Sequence, residues 1–190
     1  MKKVFKMVVS TAMCAILLCA CGYSASTQSS PTGKISTKIE NNKVTLNHTE
    51  YEFPEGYKFE DLALSNPVGI SRVKVTDSDG QIVGICSDGM YTENITKENM
   101  IDAANTVFME VHNIDTSLNL SEDMFVDGKN VEVLVISLDD GTAVFVGQLG
   151  TPNFAYITMG DADSESVMQG YVEQAILKLG GQEDYDTICG

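Results

Sequence analysis

The spacing of apolar residues along this chain changes several times, and each change marks an element. Val8 to Leu18 is a mostly apolar run, polar only at Ser10 and Thr11, behind a basic head of Lys2, Lys3 and Lys6. From Gly22 to about Ile35 the chain is Ser, Thr, Gln, Pro and Gly with almost no apolar content, the composition of a flexible tether. Alternation then begins. Lys43 to Asn47 reads as a strand and Tyr51 to Phe53 as its return; Ser71 to Thr76 alternates again, with Val73 and Val75 on one face. Asp77-Ser78-Asp79-Gly80 turns that strand into Gln81 to Cys86, a hairpin signal. After Thr96, a capping residue, the period shifts to that of a helix, with Met100, Ile101, Ala104, Val107, Phe108 and Val111 on one stripe. Three strands follow: Met124 to Val126, Val131 to Leu138 and Thr142 to Leu149, turned at Asp127-Gly128 and Asp139-Asp140-Gly141. Val131 to Ile136 is apolar on both faces over most of its length, which predicts a central strand covered from both sides. Phe154 to Met159 is the last strand, and Val167, Met168, Tyr171, Val172, Ala175, Ile176 and Leu179 stripe a final helix stopped by Gly180-Gly181.

Hairpins joined by short polar turns predict an antiparallel sheet, and two amphipathic helices predict layers over it. The expected class is α+β, an antiparallel β-sheet with helices packed on it as an α/β/α sandwich. The expected divisions are 1–20 as a signal peptide, 21–36 as a tether, 37–182 as one α+β domain and 183–190 as a C-terminal tail.

The apolar run is too short to span a hydrocarbon core, which needs roughly 20 apolar residues. It ends in Leu18-Cys19-Ala20-Cys21-Gly22, which resembles the lipobox of bacterial lipoproteins. That resemblance implies cleavage before Cys21, acylation of Cys21 with palmitate-class chains, and residence on the extracytoplasmic face of the cell membrane. Two acyl chains make such an anchor stable where one is reversible. A tether of this length would hold the body roughly 20 Å from the membrane. Further on, Phe53-Pro54-Glu55-Gly56-Tyr57 is similar to the aromatic-Pro-x-Gly-aromatic corner found early in the Mog1/PsbP-like fold. The order of elements around it, with the N-terminal hairpin first and a helix last, also resembles that fold. The resemblance implies a protein-interaction or assembly role and no reaction.

Charge narrows the partners. The chain carries 27 acidic and 12 basic residues, and losing Lys2, Lys3 and Lys6 leaves a net charge of −18. Phosphate backbones would be repelled, so nucleic acid is excluded as a partner, and anionic headgroups are disfavoured for the body. The expected partners are the membrane, through the lipid anchor, and a protein not identified by the sequence. Of five cysteines, Cys86 and Cys189 fall in the body. They either form one disulfide, closing a loop of about 100 residues, or Cys86 stays a small buried residue in an apolar run.

The motifs of common catalysts are missing: no Gly-x-Ser-x-Gly, no His-Glu-x-x-His, no Walker loop and no dinucleotide glycine pattern. His48 lies near a strand end and is expected to be exposed; His112 lies at a helix end, where it suits the dipole. Asp77 with Asp79, and Asp161, Asp163 and Glu165, are carboxylate clusters whose spacing suits turn and capping chemistry or a Ca²⁺ ion. No cofactor and no metal are expected, and no residue is assigned a catalytic role. The function expected is therefore a non-enzymatic binding or assembly module at the bacterial cell envelope. The alternatives are an acidic-residue hydrolase acting on envelope glycan, or a small-ligand or Ca²⁺ binder.

Overall fold

A computed structural model describes residues 37–62, 69–120, 124–139, 141–160 and 162–190, the side chains of 162–166 excepted. Cys21, the apolar run before it and the tether lie outside the described residues, as does Asp161. Two sheets form among the described residues. Strands β1 (Lys38–Glu40), β2 (Lys43–Thr45) and β3 (Glu50–Glu52) make a small antiparallel sheet. The larger has seven strands: β4 (Lys58–Asp61), β5 (Ile70–Thr76), β6 (Ile82–Met90), β7 (Phe125–Asp127), β8 (Val131–Leu138), β9 (Gly141–Gln148) and β10 (Asn153–Met159). Their spatial order is β4-β5-β6-β10-β9-β8-β7, and every pairing is antiparallel.

Two helices cover opposite faces of the large sheet. Helix α1 (Met100–His112) buries Met100, Ala103, Ala104, Val107, Phe108 and Val111 against Leu134, Ile136, Phe145 and Tyr156. Helix α2 (Ala162–Gly180) buries Met168, Tyr171, Val172, Ala175, Ile176 and Leu179 against the other face, with Val73, Cys86, Val133, Val144 and Ile157. The expected α+β class and antiparallel sheet with helices on both faces are what the chain adopts. Strand pleat explains how one sheet feeds two cores: in β9, Ala143 and Phe145 face α1 while Val144 and Val146 face α2.

One expectation holds and two are corrected. Val131–Leu138 is the interior strand expected, between β9 and the short β7 with both faces covered, and the middle of the sheet is β10. Helix α1 starts at Met100, beyond Asn99. Thr96 and Asn99 instead bond each other across the preceding turn, through Thr96 N to Asn99 Oδ1 at 2.8 Å and Asn99 N to Thr96 Oγ1 at 3.4 Å. Residues 183–190 are no loose tail, because most of them form α3 (Gln182–Ile188), docked on the β7–β8 turn. Asp184, 1% exposed, accepts the backbone N–H groups of Lys129, Asn130 and Val131 at 2.6, 2.8 and 3.1 Å. In return Asn130 Nδ2 donates to Gly180 O and Gln148 Nε2 to Leu179 O, satisfying carbonyls that the end of α2 leaves open. Of the two alternatives for the cysteines, the chain takes the second: Cys86 and Cys189 are free thiols and Cys86 is buried. Cys86 is sealed at the middle of β6 among core residues under α2, whereas Cys189 ends α3 half-buried.

The small sheet is fixed to the body by aromatic packing. Phe53 is fully buried, with ring centroids 4.7 Å from Tyr51, 5.1 Å from Phe59 and 6.3 Å from Tyr171. Gly56 makes the turn between Phe53 and Tyr57 at φ 97°, a conformation that side chains other than hydrogen resist.

Candidate functional site

The pleat of β6 puts Cys86 and Asp88 on the face covered by α2. At Asp88 a carboxylate therefore stands where the pattern calls for an apolar side chain. Its register neighbours are Ser71 on β5 and Ala155 on β10. The turn between β2 and β3 lies over it and bonds it directly. His48 N and Thr49 N both donate to Asp88 Oδ2 at 2.8 Å, and Asn47 Nδ2 donates to the Asp88 carbonyl at 3.2 Å. The other oxygen, Oδ1, lies 3.7 Å from His48 Nε2.

What sets the cluster apart is polar atoms sealed in the core. Asp88 Oδ1, His48 Nε2, Thr49 Oγ1, Ser71 Oγ and Tyr171 Oη are all buried without a hydrogen-bond partner among the described residues. Such atoms are costly in a dry interior, on the order of 1–3 kcal/mol each. Asp88 and Tyr171 are 0% exposed, while the His48 side chain is 24% exposed, so His48 is the member that reaches solvent. Burial pushes the Asp88 carboxyl up to about 6, against the opposing pull of His48 and of the N–H and hydroxyl groups around it. Burial, then the neighbouring Cys86 and Asp88, also raises the Tyr171 phenol, and burial raises the Cys86 thiol. Burial thus makes the Asp88 carboxyl readier to hold a proton than a free one, and Cys86 beside it is kept as a neutral thiol.

A second group lies at the opposite face and end of the sheet. Asp127 and Glu132 are register partners on β7 and β8, and Lys97 bridges them, paired with Asp127 and 3.7 Å from Glu132 Oε1. Glu132 is 5% exposed; burial and then Asp127 raise its pKa, while Lys97 holds that of Asp127 down.

The residues singled out from the sequence have other duties. Asp77 Oδ1 accepts the N–H groups of Asp79 and Gln81 at 2.9 and 2.8 Å, which is turn chemistry. His112 ends α1 with its ring on Phe108 and Nε2 3.0 Å from Tyr156 Oη. The side chains of Asp163 and Glu165 are outside the described residues. His48, expected to be exposed, is instead half-buried over Asp88. Asp88, Thr49 and Ser71 were not singled out by sequence reasoning, and Tyr171 was expected only as core. The one available signal was the continuation of the β6 alternation past Cys86, which puts Asp88 on the inner face.

No helix among the described residues is long and apolar enough to cross a membrane. Compared with models of protein families, with curated proteins and with solved structures, the chain matches none.

Proposed function

We propose that this chain is a lipid-anchored extracytoplasmic protein acting as a non-enzymatic binding or assembly module at the bacterial cell envelope, with a body of the Mog1/PsbP-like kind. The observation that carries the reading is the order of the first residues: a basic head, an apolar run too short to span, and Leu18-Cys19-Ala20-Cys21-Gly22, followed by a polar tether. The way the body uses its buried carboxylates supports it. Asp88 and Asp184 both spend oxygens on backbone N–H groups of turns, holding loops in place. In a bacterial host, wild-type chain is expected in the membrane pellet and labelled by an alkynyl fatty acid, and Cys21→Ala unlabelled in the soluble fraction. A Cys21→Ala chain that stays membrane-bound and keeps its label overturns the anchor.

A second reading rests on Asp127 and Glu132, whose carboxyl groups are displaced in opposite directions, the separation of roles an acid–base pair on envelope glycan needs. Lys97 sits between the two and pairs with Asp127, occupying the space a substrate would need, which favours the first reading. A zone of clearing on a peptidoglycan gel that disappears with Glu132→Gln would replace the first reading with the second.

A further inference from the structure

We infer that Asp88 is a proton-operated clasp: its neutral carboxyl holds the 46–49 turn on the body, and its ionisation loosens that turn. The geometry divides the carboxyl's two oxygens. Oδ2 takes both backbone donors of the turn, whereas Oδ1 has no donor within hydrogen-bond distance among the described residues. A proton on Oδ1 turns it into a donor, and the buried Thr49 hydroxyl beside it can accept. Without the proton, a charge sits in a dry cluster that is half satisfied.

The surroundings leave that charge little compensation. The titratable groups facing Asp88 among the described residues are His48 from the turn, Tyr171 from α2 and Cys86 from its own strand. Strand β5 contributes Ser71 and β10 contributes Ala155, neither charged. The two cations on β5 are on the opposite face: Arg72 donates to the Val111 carbonyl at the end of α1, and Lys74 pairs with Glu60. His48 alone can supply positive charge.

The sign follows from the two states. Closed, the carboxyl titrates near 6; with the turn lifted and water admitted, it returns towards 3.8, its ordinary value. Below about pH 4 both states hold the proton, and above about 6 neither does. In between, the open state ionises first, so opening becomes easier as pH rises. The change is tenfold per unit, about a hundredfold in all. Lifting the turn uncovers Leu46 and Tyr171, 1% and 0% exposed when it is closed.

The test is amide hydrogen exchange on the full chain between pH 3.5 and 7.5, expressed as protection factors for His48 and Thr49 relative to Ile157 in β10. Wild-type protection at the two turn amides is expected to fall about a hundredfold as pH rises, with Ile157 as the flat reference. Asp88→Asn keeps an acceptor for both N–H groups and cannot ionise, so its protection should not vary with pH. His48→Gln removes the neighbour that draws the carboxyl down, so the midpoint of the fall should move to higher pH. The clasp is overturned by flat protection in the wild type, by a transition that survives Asp88→Asn, or by a His48→Gln midpoint that stays put or moves down. Should Asp88→Asn fail to fold, the wild-type profile and the His48→Gln midpoint decide the matter by themselves.

Discussion

Replacing Asp184 by Ala should undo the docking of α3, and the structure supplies the size of the loss. One carboxylate accepts three backbone N–H groups from residues 129–131, and the N–H of Val131 is buried. An orphaned buried donor costs about 1–3 kcal/mol, and a lost hydrogen bond to a charged group about 1.5–3 kcal/mol where water can replace it only in part. These terms overlap, because all three donors belong to one turn, so the expected total is about 3–5 kcal/mol. In a domain of this size each kcal/mol moves the melting temperature by roughly 2–4 °C, which puts the fall on the order of 10 °C. Circular dichroism at 222 nm on a chain carrying Asp184→Ala would read it directly. Asp184→Asn keeps one carbonyl oxygen and should fall between wild type and Ala. Two results would refute the reasoning: a drop of under about 2 °C for Ala, or an Asn variant as stable as wild type. The exposed Lys129–Glu183 pair beside it, at 2.8 Å, should matter little when broken, since surface ion pairs contribute about 0–1 kcal/mol.

Three other outcomes follow from the packing. Gly84→Ala should lower the urea midpoint by the equivalent of about 2 kcal/mol, because the added methyl would overlap the Thr158 carbonyl of β10 and come within 2.9 Å of Met168 Cε; an unchanged midpoint would mean the two strands can part more cheaply than their register suggests. Arg72→Leu removes the donor to the Val111 carbonyl in the last turn of α1 and should cost about 1–2 kcal/mol, read by chemical denaturation at constant pH; no loss would show that the carbonyl finds another donor. Alkylation followed by peptide mapping should find Cys86 unmodified in the native protein and Cys189 modified slowly at pH 8, faster towards pH 10, since burial pushes its thiol up to about 11; a Cys86–Cys189 cross-linked peptide would contradict the free thiols.

Elements that bury a regular apolar face were legible in the sequence, and those that do not were missed. The β5–β6 hairpin, the β8–β9 hairpin and the stripes of α1 and α2 follow from residue spacing, since each face meets a core. Strands β1 and β4 lie at sheet edges and are largely exposed, so backbone pairing makes them strands while their side chains carry no alternation. Helix α3 has seven residues, too few for propensity to stabilise it alone; the bonds to Asp184 decide it, and sequence cannot announce them. Ile101 was placed on the α1 stripe and is half-buried, with Ala103 in its place. The Asp88 cluster was hidden for a related reason. Ser87, Asp88 and Gly89 read as the polar end of a strand, yet β6 runs on to Met90, and the 46–49 turn that closes over Asp88 comes from 40 residues earlier. Residues far apart in the chain build the cluster, so no local pattern contains it.

The large sheet is stitched from two chain segments. Strands β4 to β6 form one meander and β7 to β10 another, and the seam between them is the seven-residue pairing of β6 with β10. Each meander by itself ends in a long, unpaired and largely apolar edge, the kind of surface that recruits other strands. A chain emerging from its N-terminus must carry the exposed β6 edge through the whole of residues 91–152 before its partner exists. The interval between those two events is when the chain is most open to aggregation, and it sets how long the nascent body needs shelter.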